Sequence, residues 1–128
     1  MQPNQLTAPN SLIAPHVMVP KGWGHEEWVC NFDKYCGKFL VFKPMKKCSM
    51  HYHVIKDEVL YCDSGQIDVV HYWNDGDEAA TTKLKPGMSF HVKPGLRHQM
   101  IAGSDGARII EFSTHHEDSD SIRIIKGD

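Results

Sequence analysis

From Trp28 onward, short apolar runs alternate with clusters of Gly, Pro, Asn, Asp and Ser. Residues 38–42 are apolar and β-prone, 54–62 alternate imperfectly around Val59, Leu60 and Tyr61, and 66–73 are rich in Val, Ile and aromatics. Asp63-Ser64-Gly65, Asn74-Asp75-Gly76-Asp77, Lys85-Pro86-Gly87, Lys93-Pro94-Gly95 and Gly103-Ser104-Asp105-Gly106 read as turns. Asn, Asp and Gly tolerate positive φ, and Pro fixes φ for a turn. Further strands are expected at 96–102 and 107–112. No extended stretch carries a 3.6-residue apolar period, and no repeat of solenoid length is present. Turn clusters at this spacing predict an all-β sandwich or barrel.

The first twenty residues differ. They hold Pro3, Pro9, Pro15 and Pro20 and no Lys, Arg, Asp or Glu. Proline this dense excludes a helix, so residues 1–20 are expected to form an extended arm and 21–128 a single domain. Ile13, Val17, Met18 and Val19 are its candidate buried anchors. Such an arm can add a strand to the sheet edge of a second copy, so a homodimer is expected.

Composition narrows the classes. With 128 residues, the chain has the length of one domain with one core. The net charge of -2 offers no basic excess to neutralise phosphates, which argues against a nucleic-acid partner. No apolar run approaches the roughly 20 residues needed to span a bilayer. Cys30, Cys36, Cys48 and Cys62 lack C-x-x-C spacing, and the N-terminus lacks a signal-peptide pattern. Reduced thiols in a cytoplasmic protein are therefore expected, with Cys48 and Cys62 as small buried apolar groups. The 9 histidines are many for this length and direct attention to metal or proton chemistry.

The chemistry concentrates in Cys48-Ser49-Met50-His51-Tyr52-His53-Val54-Ile55-Lys56-Asp57-Glu58. Side chains two apart in a strand share a face, so His51 and His53 project together. Two imidazoles make a poor core and a good start to a metal site. Glu58 can join them if the chain turns near Lys56-Asp57, and His98 follows the Lys93-Pro94-Gly95 turn into another strand. Three neutral imidazoles and one carboxylate suit one divalent transition-metal ion: manganese or zinc first, iron, nickel or cobalt as alternatives. One or two coordination positions stay open, as catalysis requires. His91 is expected not to be a ligand, and His115 and His116 to be surface residues.

These residues carry a resemblance. His51, His53, Glu58 and Gly65 match the first cupin motif, H-x-H, three or four residues, Glu, six residues, Gly. Pro94-Gly95-Leu96-Arg97-His98 resembles the second motif, P-x-G-x-x-H, with one residue fewer between Pro and Gly. Ala102 stands where an Asn often follows. The resemblance covers about residues 36 to 112 and implies a jelly-roll β-barrel with metal ligands at His51, His53, Glu58 and His98.

Finer features resemble the cupin sugar isomerases. Gly37-Lys38-Phe39-Leu40 with Ser49-Met50-His51-Tyr52-His53 is similar to a run in D-lyxose isomerases and in the cupin domain of type II phosphomannose isomerases. Lys56, two residues before Glu58, stands where the lyxose isomerases place a proposed catalytic lysine. Glu111-Phe112-Ser113-Thr114 with Asp118, Asp120 and Arg123 resembles the close of the phosphomannose group, with His115-His116-Glu117 replacing a shorter link. The "Y-G-R" ending of the phosphomannose motif is missing. The resemblance implies aldose-ketose isomerisation of a sugar or sugar phosphate through a cis-enediol, with Lys56, Glu111 and Arg123 as catalytic candidates. Lys56 otherwise reads as a solvated turn residue, and Glu111 as a cross-strand partner of Lys or Arg. A phosphate would find cations in Lys46, Lys47, Arg97 and Arg123. Two alternatives stand beside this reading: a non-haem iron dioxygenase, and a sugar-binding cupin module without turnover.

Overall fold

The structure, a computed structural model, describes residues 16–128. Its strands are β1 (Val17–Lys21), β2 (Gly24–Asn31), β3 (Cys36–Phe42), β4 (Met50–His53), β5 (Glu58–Tyr72), β6 (Ala80–Leu84), β7 (Ser89–Val92), β8 (Arg97–Ser113) and β9 (Ser121–Ile125), with a short 3-10 turn at Asp118–Asp120. Every pairing is antiparallel. One half of the curled sheet runs β1, β2, β3, the C-terminal half of β8, the N-terminal half of β5, then β7. The other half runs β6, the C-terminal half of β5, the N-terminal half of β8, β4, β9. Side chains from both halves meet in one core, including Leu40, Phe42, Leu60, Ile67, Val69, Met100 and Ile109. This is the all-β jelly-roll barrel the sequence implied.

Asp63-Ser64-Gly65 and Gly103–Gly106 were expected to end strands. They are instead bends inside the long strands β5 and β8, which pass from one half of the sheet to the other. The paired ladder continues through register shifts at Cys62/Ser64 and Gly65/Ile67, so hydrogen bonding survives the bend. Gly65 (φ 71) and Gly106 (φ 72) sit against each other there, and a Cβ on Gly65 would run into the Gly106 carbonyl. Gly65→Ala is expected to destabilise the protein by more than about 1 kcal/mol, read from the urea midpoint. An unchanged midpoint would show that the two bends can part without cost. The strands β2 and β9 were not anticipated, because charge or short length hides their alternation; β6 is the returning strand of the hairpin that Asn74-Asp75-Gly76-Asp77 signals.

Only the end of the expected arm lies among the described residues. Val17–Lys21 pairs with β2 of the same chain, and Met18 is 55% exposed, so it is no buried anchor. Ile13 lies outside the described residues. The four cysteines are free. Cys48 is buried, accepts the Met100 N–H at 3.2 Å, and burial raises its thiol to about 12, which leaves it unreactive. Among the described residues no helix is long and apolar enough to cross a membrane.

The inward face changes character along the barrel. In β3 the buried side chains are Cys36, Lys38, Leu40 and Phe42; in β5 they begin Glu58, Leu60, Cys62; in β8 they are His98, Met100 and Ala102, then Ala107, Ile109 and Glu111. Strict two-residue alternation thus places polar groups at one end of the same faces that build the apolar core. That end is the site.

Candidate metal centre and its buried ion pairs

A cavity of about 660 Å³ opens at the polar end, lined among others by Glu26, Lys38, His51, His53, Lys56, Glu58, His98, Glu111, His116 and Arg123. His51 pairs in register with His98, and with His53 their ligand nitrogens lie within 4.8 Å of one another. Each imidazole is oriented by a backbone carbonyl that accepts from its Nδ1: His51 from Ser49 at 3.0 Å, His53 from Asp120 at 3.1 Å, His98 from Leu96 at 2.9 Å. A carbonyl can only accept, so the Nδ1 atoms carry the protons and the Nε2 lone pairs are free for a cation. Metal-bound histidines are held in this way.

Among the described residues, two buried atoms of this site have no hydrogen-bond partner, Glu58 Oε2 and His98 Nε2. Glu58 Oε2 stands 3.1 Å from His53 Nε2 without hydrogen-bond alignment. A neutral His53 whose Nδ1 is committed to Asp120 therefore turns a lone pair toward a carboxylate oxygen, which a cation would reconcile. Glu58 lies outside the tight imidazole trio but borders it. Burial, together with His98 and His53, lowers His51 to about 3, and burial lowers His98. Both rings are held neutral, the form that ligates metal.

Beside the imidazoles lies a chain of buried charges. Lys56 is 2% exposed and Glu111 4%. Lys56 Nζ contacts Glu111 Oε2 at 2.7 Å, His116 Nδ1 at 3.1 Å and Glu58 Oε2 at 3.8 Å. Lys38 Nζ contacts Glu26 Oε1 at 3.3 Å and sits 3.9 Å from the centre of the Trp28 ring. Burial opposes charge on Glu58, but Lys56 overcomes it and holds the carboxyl well below its usual range. Burial likewise opposes charge on Glu111, and Lys56 and Lys38 overcome it. Burial also opposes charge on Lys56, and Glu111 and Glu58 hold the ammonium above its ordinary value. The lining as a whole balances five cationic side chains, Lys21, Lys38, Lys56, Arg123 and Lys126, against five carboxylates, Glu26, Glu58, Glu111, Asp118 and Asp128. The case for a divalent cation therefore rests on the convergent imidazoles and on the unpartnered atoms Glu58 Oε2 and His98 Nε2.

Lys56 is therefore not a solvated turn residue. The turn is drawn in by Asp120, whose carboxylate accepts the N–H groups of Val54 (2.9 Å), Ile55 (3.1 Å) and Lys56 (2.9 Å). Glu111 is at once a register partner of Lys38 and a cavity residue. Arg123 is exposed on β9, stands opposite His51 and lines the cavity. Lys46, Lys47 and Arg97 do not line it; Arg97 stacks on Tyr52, 3.8 Å from the ring centre. His91 points elsewhere and pairs with Asp57 at 2.6 Å. His116, expected on the surface, is 8% exposed and lines the cavity. Sequence reading missed it together with Asp120, Glu26 and Lys38. The alternation of 36–42 could have flagged Lys38, the one charged residue on an apolar inward face.

The chain is similar to proteins of known activity and to solved structures. The D-lyxose/D-mannose isomerase of Thermosediminibacter oceani is 28% identical over 116 residues, covering 72% of this chain and 62% of the relative. The D-lyxose ketol-isomerase of Cohnella laeviribosi gives the same identity and coverage, 28%, 72% and 62%. The chain thus spans 62% of the length of these curated relatives. Among solved structures, the capsular polysaccharide assembling protein CapF of Staphylococcus aureus superposes with a TM-score of 0.78 at 17% identity, over 87% of this chain and 33% of that one. Oxalate decarboxylase of Bacillus subtilis gives 0.75 at 14% identity, over 85% and 30%. These two likenesses speak for the fold. The Cupin domain family model matches residues 38–113, more than half of the chain, and the chain belongs to the cupin family.

Proposed function

We propose that this cupin is a metal-dependent aldose-ketose isomerase acting on a sugar or sugar phosphate through a cis-enediol. The observation that carries this reading is the buried Lys56–Glu111 pair, 2.7 Å long, beside the three convergent imidazoles in one cavity. The two sugar-isomerase relatives support it. In this reading His51, His53, Glu58 and His98 hold one divalent ion, which when bound polarises the carbonyl and hydroxyl oxygens of the sugar.

The chain's own groups do the rest. Glu111 takes the C2 proton of the open-chain aldose and returns it to C1, while the O2 hydroxyl proton passes to O1, so the ketose is an isomer with nothing gained or lost. Lys56 donates an N–H to the oxygen on which negative charge develops. Its firmly held proton makes it a fixed cation rather than a proton source. As the Lys56 charge is drawn toward the substrate oxygen, its hold on Glu111, 2.7 Å away, weakens and burial makes the carboxylate more basic. Arg123, at the cavity mouth, meets the far end of the sugar.

The test is a screen of D-lyxose, D-mannose, their ketose products and the corresponding phosphates with manganese-loaded protein, followed by NMR. At least one aldose-ketose pair is expected to interconvert. No conversion together with oxygen uptake on a thiol or flavonol would replace this reading with the dioxygenase, and tight sugar binding without conversion would replace it with the binding module.

A further inference from the structure

His116 belongs to the His115-His116-Glu117 stretch that departs from the sugar-isomerase close, and it is fixed from four sides. Asn31, itself 2% exposed, clamps its backbone: the Asn31 amide donates to the His116 carbonyl at 3.0 Å and its oxygen accepts the His116 N–H at 2.8 Å. The ring meets Trp28 edge-on, with centroids 5.1 Å apart. Its Nδ1 lies 3.1 Å from Lys56 Nζ and its Nε2 lies 2.8 Å from Asp118 Oδ1.

These contacts determine where the protons are. An ammonium can only donate, so Nδ1 of His116 must be the acceptor. The ring proton then sits on Nε2 and is donated to the Asp118 carboxylate. Asp118 has a side chain 78% exposed, so it selects the tautomer from the solvent side without being buried. The Lys56 ammonium is left with one N–H on Glu111 and one on His116. Its third neighbour, Glu58 Oε2 at 3.8 Å, is beyond hydrogen-bond reach.

We propose that His116 and Asp118 are a positioning pair: Asp118 sets the His116 tautomer, the His116 lone pair anchors the Lys56 ammonium, and the remaining N–H is thereby aimed into the cavity at a sugar oxygen. The catalytic consequence rests on the isomerase reading; the pairing itself does not. The sequence insertion that supplies His116 thus supplies the second anchor of the lysine.

Two measurements on the whole protein test it. In the 15N-labelled protein without substrate, long-range proton-nitrogen spectra are expected to show His116 with a bare Nδ1 and a protonated Nε2, and Asp118→Asn is expected to disturb both this pattern and the Lys56 ammonium resonance. A protonated Nδ1, or a Lys56 resonance indifferent to Asp118→Asn, overturns the pairing. In turnover, His116→Phe keeps a ring against Trp28 but removes the acceptor; kcat should fall by roughly 10-fold or more with KM unchanged. His116→Asn, whose amide oxygen stands near the place of Nδ1, should recover most of that loss. Equal kcat in wild type and His116→Phe overturns the positioning role, as does failure of Asn to improve on Phe. A wild-type protein that converts no sugar overturns the isomerase reading, and the two spectra then decide the pairing alone.

Discussion

Lys56→Met is expected to slow sugar turnover by about 10²-fold or more with the metal content unchanged. The side chain touches Glu111, His116 and Glu58 but is not among the imidazole donors. In the isomerase reading its removal deletes the donor to the developing negative charge, and in any reading it leaves two buried carboxylates without their main partner. Breaking a buried pair on one side costs about 3–5 kcal/mol. The pH dependence has a definite sign. In the wild type, Glu58 and Glu111 are held below the ordinary carboxylate range. Their contribution is present above the ordinary carboxyl pKa and is lost as pH falls through the depressed values. In Lys56→Met, burial prevails over the remaining partners and raises both carboxyls. The variant should then lose stability as pH rises from about 4.5 to 7, a window in which the same two carboxyls leave the wild type nearly unchanged because their own transition lies below it. Urea denaturation of the metal-free proteins at the two pH values reads this directly. Turnover equal to wild type would reduce Lys56 to a structural residue.

His98→Ala is expected to empty the metal site. His98 is fully buried at 0% exposure, its Nδ1 is committed to Leu96, and its Nε2 has no hydrogen-bond partner among the described residues. The loss leaves His51 and His53 on a short strand, and two imidazoles with one carboxylate hold a transition metal far more weakly than four ligands do. Metal after dialysis, measured by inductively coupled plasma mass spectrometry, should fall from about one ion per chain to less than about a tenth. Glu58→Gln should weaken binding less, since the amide oxygen remains but its charge is gone. The barrel should stay folded by circular dichroism, because its core of Leu60, Ile67, Val69, Leu84 and Ile109 lies away from the ligands.

Much of the architecture was legible because it rests on local rules. Gly65, Gly76, Gly87, Gly95 and Gly106 all adopt positive φ, as the turn clusters required. The H-x-H spacing put His51 and His53 on one strand, and the structure brings His98 against them by register. What stayed hidden is what depends on partners distant in sequence. Nothing local tells whether Lys56 is solvated; its burial follows from an Asp120 carboxylate |i−j| 64 away capturing the turn's N–H groups. His116 looked like a tail residue because its anchor, Asn31, lies |i−j| 85 away. The bends in β5 and β8 read as chain breaks because glycine punctuation looks the same in a turn and in a bulge; only the partner strand shows that the ladder continues.

The central claim is that His51, His53, Glu58 and His98 hold one divalent ion in the barrel, and anomalous scattering at the manganese edge from manganese-loaded crystals tests it most directly. One strong peak is expected among the three Nε2 atoms, at coordination distance from each, with a Glu58 oxygen completing the set and the Lys56–Glu111 pair beside it. A peak coordinated by other residues, or no peak at this end of the barrel in fully loaded crystals, would contradict it.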